Sequence, residues 1–438
     1  MKKGFFRKGI VFVIIVLFIG AVVIPSTVGI IEKKTIISNS SSRGYIQDLI
    51  DNASEGDTIY VPSGIYYENI IIDKSISLIG EDKDTTIIDG GGIGDVIYIS
   101  ADWVNISSFT MRNSGDDWPS VGIKVDSSNN IIFNCNVSNH NWSGIFLECS
   151  SNNIIDKNIV NSNREDGIIL LNSSNYNIIV NNTAISNGGG GIRLGDGGDP
   201  TKNVTGNLVI RNNASYNVDD GIGLEWSVNN TVMDNILLGN DGKSWSEGIS
   251  LYHSSNSIVI NNTAKYNKRS GIGLQDAHGN KISYNKVVLN NGNGINLLSS
   301  SSNNMLTNNK VCNNYGNGIS LRGASIRNTF ENNIINSNRI NGFALSSSSN
   351  NTIYKNNITR NIFGIFFTNS YCNKIISNNF IKNIIKAFFI FGHNTWNENY
   401  WNRPRILPKP IFGIIIKGFL PIPWLNFDKN PAFRPYKI

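Results

Sequence analysis

Gly122-Ile123-Lys124-Val125 returns as Gly144-Ile145-Phe146-Leu147, and again as Gly167-Ile168-Ile169-Leu170. The tetrad recurs from Gly191, Gly221, Gly248, Gly271, Gly294, Gly318, Gly342 and Gly364, with Lys386-Ala387-Phe388-Phe389 as a worn last copy. The interval stays close to ~23 residues, and a fixed period of this length marks a solenoid, whose repeats bury their apolar faces only against one another. Two intervals are longer, Gly191 to Gly221 and Gly221 to Gly248. The second and fourth residues of each tetrad share one face of a strand, and the third points the other way. The glycine reads as a turn residue needing positive φ. Well before it in each repeat stands an Asn pair, as in Asn181-Asn182, Asn212-Asn213, Asn261-Asn262, Asn308-Asn309, Asn332-Asn333 and Asn356-Asn357. Stacked coils would place these amides above one another as a hydrogen-bonded ladder. A coil this short cannot hold a βαβ unit, which needs about 30 residues. The expected fold is therefore all-β: a right-handed parallel β-helix of roughly fourteen coils, about 65 Å long at ~4.8 Å per coil.

The ends of the chain differ from this middle. Met1–Lys8 is basic and Gly9–Ile24 is unbroken apolar, so residues 1–29 read as a signal peptide or retained membrane anchor. Residues 30–42 form a spacer. The solenoid spans 43–402, begins with a short cap helix at Tyr45–Ile50 and closes at Trp396-Asn397-Glu398-Asn399-Tyr400-Trp401. The Pro-rich apolar tail, 403–438, reads as a cap over the last coil; the runner-up is a partner-binding or membrane-contacting tail. Charged residues are 16% of the chain, against about 25% in an average domain. Of the net charge of +6, Lys2, Lys3, Arg7 and Lys8 supply four, so the solenoid is close to neutral and no nucleic-acid footprint is expected. Cys135, Cys149, Cys312 and Cys372 fall in four different columns of the repeat and are expected to be free thiols. The expected protein is an exported monomer at the cell surface, touching membrane only through its N-terminal segment.

With these residues in view, a family resemblance is clear. Ile46-Gln47, Val61-Pro62-Ser63-Gly64-Ile65-Tyr66-Tyr67-Glu68 and Ile87-Ile88-Asp89-Gly90 resemble the start of pectin-lyase-like β-helix domains. The repeats from Gly122 to Phe389 resemble those of NosD-like and carbohydrate-binding and sugar-hydrolase domains, and the Asn399-Tyr400-Trp401 closure and Phe427–Ala432 resemble archaeal surface members of that group. The resemblance implies a fold; its members include lyases, hydrolases, epimerases, accessory proteins and adhesins, so it does not imply one activity.

Chemistry is expected near the two long coils. The coil from Gly191 to Gly221 carries Gly195–Pro200, and the coil from Gly221 to Gly248 carries Gly239–Trp245. Insertions in a solenoid become loops, often on the binding face. The residue before each glycine runs Ser143, Asp166, Gly190, Asp220, Glu247, Ser270, placing Asp220 and Glu247 about 5 Å apart at the backbone. The outward tetrad residue runs Arg193, Gly223, Ser250, Gly273, Asn296, Ser320, Ala344, a shallow trough. Its far rim carries Asp196, Glu225-Trp226, Tyr252-His253 and Gln275-Asp276, and Trp245 lies on the second insertion. Such a trough suits a glycan, with aromatic rings for sugar C–H faces and carboxylates for hydroxyls. The candidate substrate-binding residues are Arg193, Asp196, Glu225, Trp226, Trp245, Tyr252, His253 and Asp276; the candidate catalytic carboxylates are Asp219, Asp220 and Glu247. The same acids also read as ordinary solvated turn residues. Asp219-Asp220-Gly221 is similar to an acidic pair of polygalacturonases, but the other motifs of those enzymes are absent. The expected function is therefore glycan binding at an exported surface, with polysaccharide hydrolysis, cleavage or epimerisation as the alternative. No cofactor is required; Ca²⁺ could bridge the acids to a uronate, and four scattered His and four Met do not suggest copper.

Overall fold

The structure, a computed structural model, describes residues 44–195, 201–242, 246–417 and 420–438. The segments read as signal or anchor and as spacer, together with Arg43, Asp196 and Trp245, lie outside the described residues. Among the described residues there is one helix, Tyr45–Asn52, followed by short strands that stack in parallel, coil upon coil, until the final hairpin. One full coil shows the plan: Ile145–Glu148, Ile154–Asp156 and Ile159–Asn161, before the next tetrad begins at Ile168. Each strand pairs in register with its equivalent one coil on, as in Ile145↔Ile168, Ile154↔Ile178 and Ile159↔Thr183. About fifteen such turns make the solenoid, one more than the spacing implied. The corners between strands hold residues at positive φ (Cys149, Asn152, Lys157 and Ser162 in this coil), and Asn or Ser often stands there because its short polar side chain tolerates that conformation.

The core is a continuous column of Ile, Leu and Val from successive coils, closed at the far end by phenylalanines and tryptophans. Beside it run three buried amide ladders, where the sequence pattern suggested one. The first climbs from Asn130 through Asn153, Asn177, Asn207 and Asn230, is taken over by Ser257, and resumes at Asn280. The second takes one residue from each Asn pair and runs through Asn158, Asn182, Asn212, Asn235, Asn262 and Asn285 onward to Asn399. The third runs from Asn163 through Asn187, Asn217 and Asn240 to Asn383. One rung is representative. The Asn182 backbone N–H and Nδ2 both donate to Asn212 Oδ1, at 2.8 and 3.0 Å, and Nδ2 also donates back to Ile155 O at 2.7 Å. Every amide thus satisfies a corner carbonyl below and is satisfied from above, so a polar side chain is buried at small cost. The first two columns begin as apolar residues (Val104 below Asn130, Phe109 and Cys135 below Asn158) and the third as His140 below Asn163, and all turn to asparagine farther along the chain.

The tetrad glycines have a different cause from the one the sequence suggested. None of them has positive φ. A Cβ on Gly167 would stand 2.6 Å from Gly191 O and 2.8 Å from Asn187 Nδ2, and the same clash with the next coil's carbonyl and the third ladder recurs up the column. The glycine is there because the ladder passes its Cα. At the top, where the third ladder ends at Asn383, the column accepts Lys386.

Both ends are closed by carboxylates. Glu68 accepts from the Ile46 and Gln47 backbone N–H groups at 3.0 Å each and so seats the helix, whose Ile46 and Ile50 cover the first coil. Asp428 accepts from Asn399 N, Asn399 Nδ2 and Trp401 Nε1 at 3.0, 3.1 and 2.9 Å, ending the second ladder with an acceptor-only side chain. Asp428 belongs to an antiparallel hairpin, Lys409–Lys417 with Leu420–Asp428, whose root half pairs with the last coil through Phe389↔Gly413, Ile390↔Ile414 and Trp396↔Asp428.

Asn235→Ala should be among the most destabilising single polar substitutions. It orphans the Asn212 N–H and Nδ2 and the Val209 carbonyl, and a loss of about 2–4 kcal/mol is expected from thermal or denaturant unfolding. Asn229→Gly, at an exposed positive-φ corner of the same coil, is expected to change stability by less than about 0.5 kcal/mol. Equal effects of the two would disprove the ladder's role.

Candidate functional site

The outward tetrad column can now be followed residue by residue. Lys124, Phe146, Ile169 and Arg193 are bulky. Gly223, Ser250, Gly273, Asn296, Ser320 and Ala344 are small. Phe366 and Phe388 are bulky again, and stack on each other at 6.1 Å. Six small residues between large ones make a trough along the solenoid axis, about 24 Å from Gly223 to Ala344 at ~4.8 Å per coil. The extra residues of the two long coils fall in sequence on either side of tetrad strands, one set after Ile192–Leu194 and one before Ile249–Tyr252.

Part of the trough is a groove of about 640 Å³. Asp219, Asp220, Glu225, Glu247 and Tyr252 all line it, so five of the sequence-derived candidates come together. Asp220 accepts from the Glu247 backbone N–H at 2.7 Å and from the Ser250 hydroxyl. Glu247 leans over the next coil, where a Cβ on Gly273 would coincide with its carboxylate. Glycine at 273 is thus what allows that carboxylate to lie in the floor. Arg193 closes one end: its Nη2 lies 3.0 Å from Asp166 Oδ1, which also accepts from Gly190 N at 2.6 Å.

The electrostatics of the groove favour retained protons. Burial raises Glu247 to about 7, against the opposing influence of a Ser270 hydrogen bond and the Arg269 charge. Burial raises Asp220 well above the usual carboxylate range, and the charges of Asp219 and Glu247 push the same way. Asp219 is raised by burial, with Arg193 opposing. Burial by itself would lower the Arg193 guanidinium, but Asp166, Glu225 and Asp219 outweigh it and hold Arg193 above its ordinary value.

Trp226, His253 and Asp276 stand together outside this groove, on positive-φ corners of three successive coils. The His253 ring stacks on Trp226 with centroids 4.1 Å apart and meets Tyr252 edge-on at 4.3 Å. Asp276 bridges His253 Nδ1 at 2.8 Å and His278 Nε2 at 3.2 Å. His278 was not among the sequence-derived residues. Nor were Lys268, Arg269, Asn293 and Arg322, which line the same groove. Two of these were legible in principle. Arg269 occupies the place two before Gly271 that Asp219 occupies before Gly221, and Arg322 follows its tetrad as Glu225 follows Leu224. Beyond the groove, Asn317, Ser320, Asn341, Ala344 and Phe366 line a shallower depression of about 410 Å³. There Ser320 Oγ and Asn341 Oδ1 are buried without a hydrogen-bond partner in the protein.

Glu247 has a higher folded than unfolded pKa, so between the two the native state holds the extra proton and stability falls as pH rises toward and through about 7. The stability difference between wild type and Glu247→Gln, followed by denaturant unfolding between about pH 4 and 8, should therefore move against wild type as pH rises. Gly273→Ala should expel the carboxylate and flatten that dependence with little loss of stability, since it meets the end of a flexible side chain. A pH-independent difference would place Glu247 in free solvent.

Similarities to known proteins follow this geometry only at the level of fold. A tailspike protein from the Acinetobacter baumannii bacteriophage Fri1, a capsular polysaccharide depolymerase, superposes with a TM-score of 0.46 at 11% identity over 63% of this chain. The chain spans only 55% of that tailspike and 59% of a second tailspike, Dettilon. A periplasmic alginate epimerase, AlgG, gives 0.40 at 15% identity, with 80% of this chain and 82% of that one covered. An alginate lyase from a Paenibacillus species gives 0.42 at 15% identity, covering 61% and 92%. Comparison with curated protein sequences gives no match. The family described as "Periplasmic copper-binding protein (NosD)" matches residues 50–241, 201–341 and 296–413, and through these overlapping matches, which take in nearly all of the solenoid, the chain belongs to the NosD family.

Proposed function

We propose that the tetrad face is a glycan-binding groove on an exported protein, with the saccharide lying along the solenoid axis. The observation that carries this is the floor itself: six consecutive small residues between Arg193 and Phe366, rimmed by ionisable side chains. Each coil advances by roughly the length of one hexose unit, so a saccharide can present equivalent hydroxyls to equivalent side chains. Carboxylates and Asn293 and Asn296 suit sugar hydroxyls, the half-exposed Tyr252 suits a sugar face, and Lys268, Arg269 and Arg322 suit an acidic substituent. Export is supported by the basic and apolar N-terminal segment.

A second reading, glycoside cleavage, is favoured by one observation. Glu247, raised to about 7, could deliver a proton at neutral pH beside Asp219 and Asp220. Asp220 is engaged by Ser250 and the Glu247 N–H, so in this reading Glu247 is the acid and Asp219 the more available partner.

The family description raises copper, and the donor set does not fit it. Among the described residues no three His, Cys, Asp or Glu side chains converge on a metal position. His253 and His278 are both turned to Asp276, and His140 is buried with Nε2 3.1 Å from Met111 O. The four cysteines are free and scattered, with Cys135 and Cys312 buried and Cys149 and Cys372 exposed. No step is routed through copper.

The test is co-sedimentation and product analysis with neutral and acidic polysaccharides and oligosaccharides of graded length, with Ca²⁺ and with chelator. Affinity should rise with chain length and level off at about five or six units, one per small floor residue over ~24 Å. Ser250→Trp, which fills the floor, should weaken binding at least about tenfold, the loss of one well-placed contact of ~1.4 kcal/mol. Release of reducing ends or unsaturated uronates that disappears in Asp219→Asn/Glu247→Gln would establish the second reading. Absence of binding to the whole panel would refute both.

A further inference from the structure

The C-terminal hairpin does more than close the last coil. Cross-strand partners share a face, so one face carries Pro410 with Phe427, Phe412 with Leu425, and Ile414 with Pro423. That face contains no charged residue. It is turned to solvent: Phe412 is 60% exposed, Phe427 46% and Leu425 43%. The other face is buried along its root half, where Ile411, Gly413, Asn426 and Asp428 meet the last coil; Trp424, across from Gly413, is again 47% exposed. Ile406, Leu407 and Phe433 add exposed apolar surface beside it. Capping needs the root alone, so the cap does not account for the outer face. Contiguous apolar surface of this kind marks a contact site.

Charge says what the contact is. The tail from residue 403 contains Arg403, Arg405, Lys409, Lys417, Lys429, Arg434 and Lys437, and one acid, Asp428, which is buried in the ladder cap. Among the described side chains none of these cations forms an ion pair. Lys409 is lowered by burial and then by the charges of Arg405 and Lys386, a cationic cluster at the hairpin root, and Arg405 Nε is buried without a partner. Lys409 also lies 5.9 Å from the Phe412 ring, so cluster and apolar face adjoin. A second copy of the chain would set this cluster against itself in a two-fold contact. An apolar, aromatic face bordered by unneutralised cations matches an anionic lipid surface, where rings enter the interface and cations meet headgroups.

We propose that the hairpin Lys409–Asp428 is an interfacial membrane-binding element for anionic lipid bilayers. It is a second membrane contact besides the N-terminal segment, and it is independent of the glycan groove.

The test uses the full chain with vesicles of phosphatidylcholine alone or mixed with phosphatidylglycerol, each carrying brominated acyl chains. Trp424 serves as the probe, and its contribution is the difference in quenching between wild type and Trp424→Phe. That readout is local, so insertion of the N-terminal segment cannot mimic it. The expected result is a Trp424-specific quench on anionic vesicles, weakened at least about tenfold in apparent affinity on neutral ones or at high salt, where the attraction of the surface cations to headgroups is lost or screened. Arg405→Glu/Lys409→Glu, which leaves the apolar face intact, should lose it similarly, and Phe412→Ser/Leu425→Ser should abolish it. Quenching that survives in Trp424→Phe, absence of quenching while the protein floats with the vesicles, or equal quenching on neutral and anionic vesicles would each overturn the proposal. Self-association through the hairpin without quenching would assign the face to a second copy instead.

Discussion

The spacing between coils governs this molecule. Parallel strands repeat at about 4.8 Å, and a primary amide is one of the few side chains that can donate and accept across that distance while also satisfying its own corner. Three buried asparagine columns exploit this, so the corners of the solenoid, where backbone polar groups would be left without partners, become its most completely bonded regions. The glycine of each tetrad is a consequence: the third ladder and the next coil's carbonyl leave no room for a Cβ. The near-constant period follows as well, because an added residue inside a coil would break the register of three columns at once. Length variation is confined to the outer corners, where the two long coils that begin at Gly191 and Gly221 place it.

The same register builds the groove. With strands paired residue for residue, the third position of each tetrad becomes a straight row on the outer surface. Function can then be written into that row by size alone. Small residues at 223 to 344 lower the floor, and the bulky residues on either side close it. The carboxylates reach across coils rather than within them: Asp166 meets Arg193, Asp220 meets Ser250, and Glu247 lies above Gly273. A solenoid wall thus produces a crowded acidic floor in which burial raises Asp219, Asp220 and Glu247 above the usual carboxylate range.

A ladder that repeats indefinitely needs ends. At the first coil the carboxylate Glu68 receives the helix N–H groups, and at the last coil Asp428 receives an asparagine and an indole N–H. Both are acids for the same reason: an end position must accept without presenting a donor that nothing can satisfy. The hairpin supplying Asp428 is anchored by only a few backbone pairs at its root, and this leaves its outer apolar face uncommitted to the fold.

Periodicity alone determined the solenoid, the parallel stacking, the core columns and the outward row, because a solenoid is quasi-one-dimensional and sequence separation maps directly onto space. The second ladder was visible as Asn pairs. The first and third were not, because their asparagines are dispersed among exposed Asn and Ser at the positive-φ corners, and sequence does not distinguish an inward amide from an outward one. For the same reason Asp219, Asp220, Glu225, Glu247 and Tyr252 were legible as neighbours, whereas the bridging of His253 and His278 by Asp276 was not. Only the tertiary structure decided why the tetrad needs glycine, that Arg193 is held by Asp166, and which face of the tail is buried. Each of these depends on where a side chain points around a corner, and that direction is set by packing between coils rather than by the residues within one.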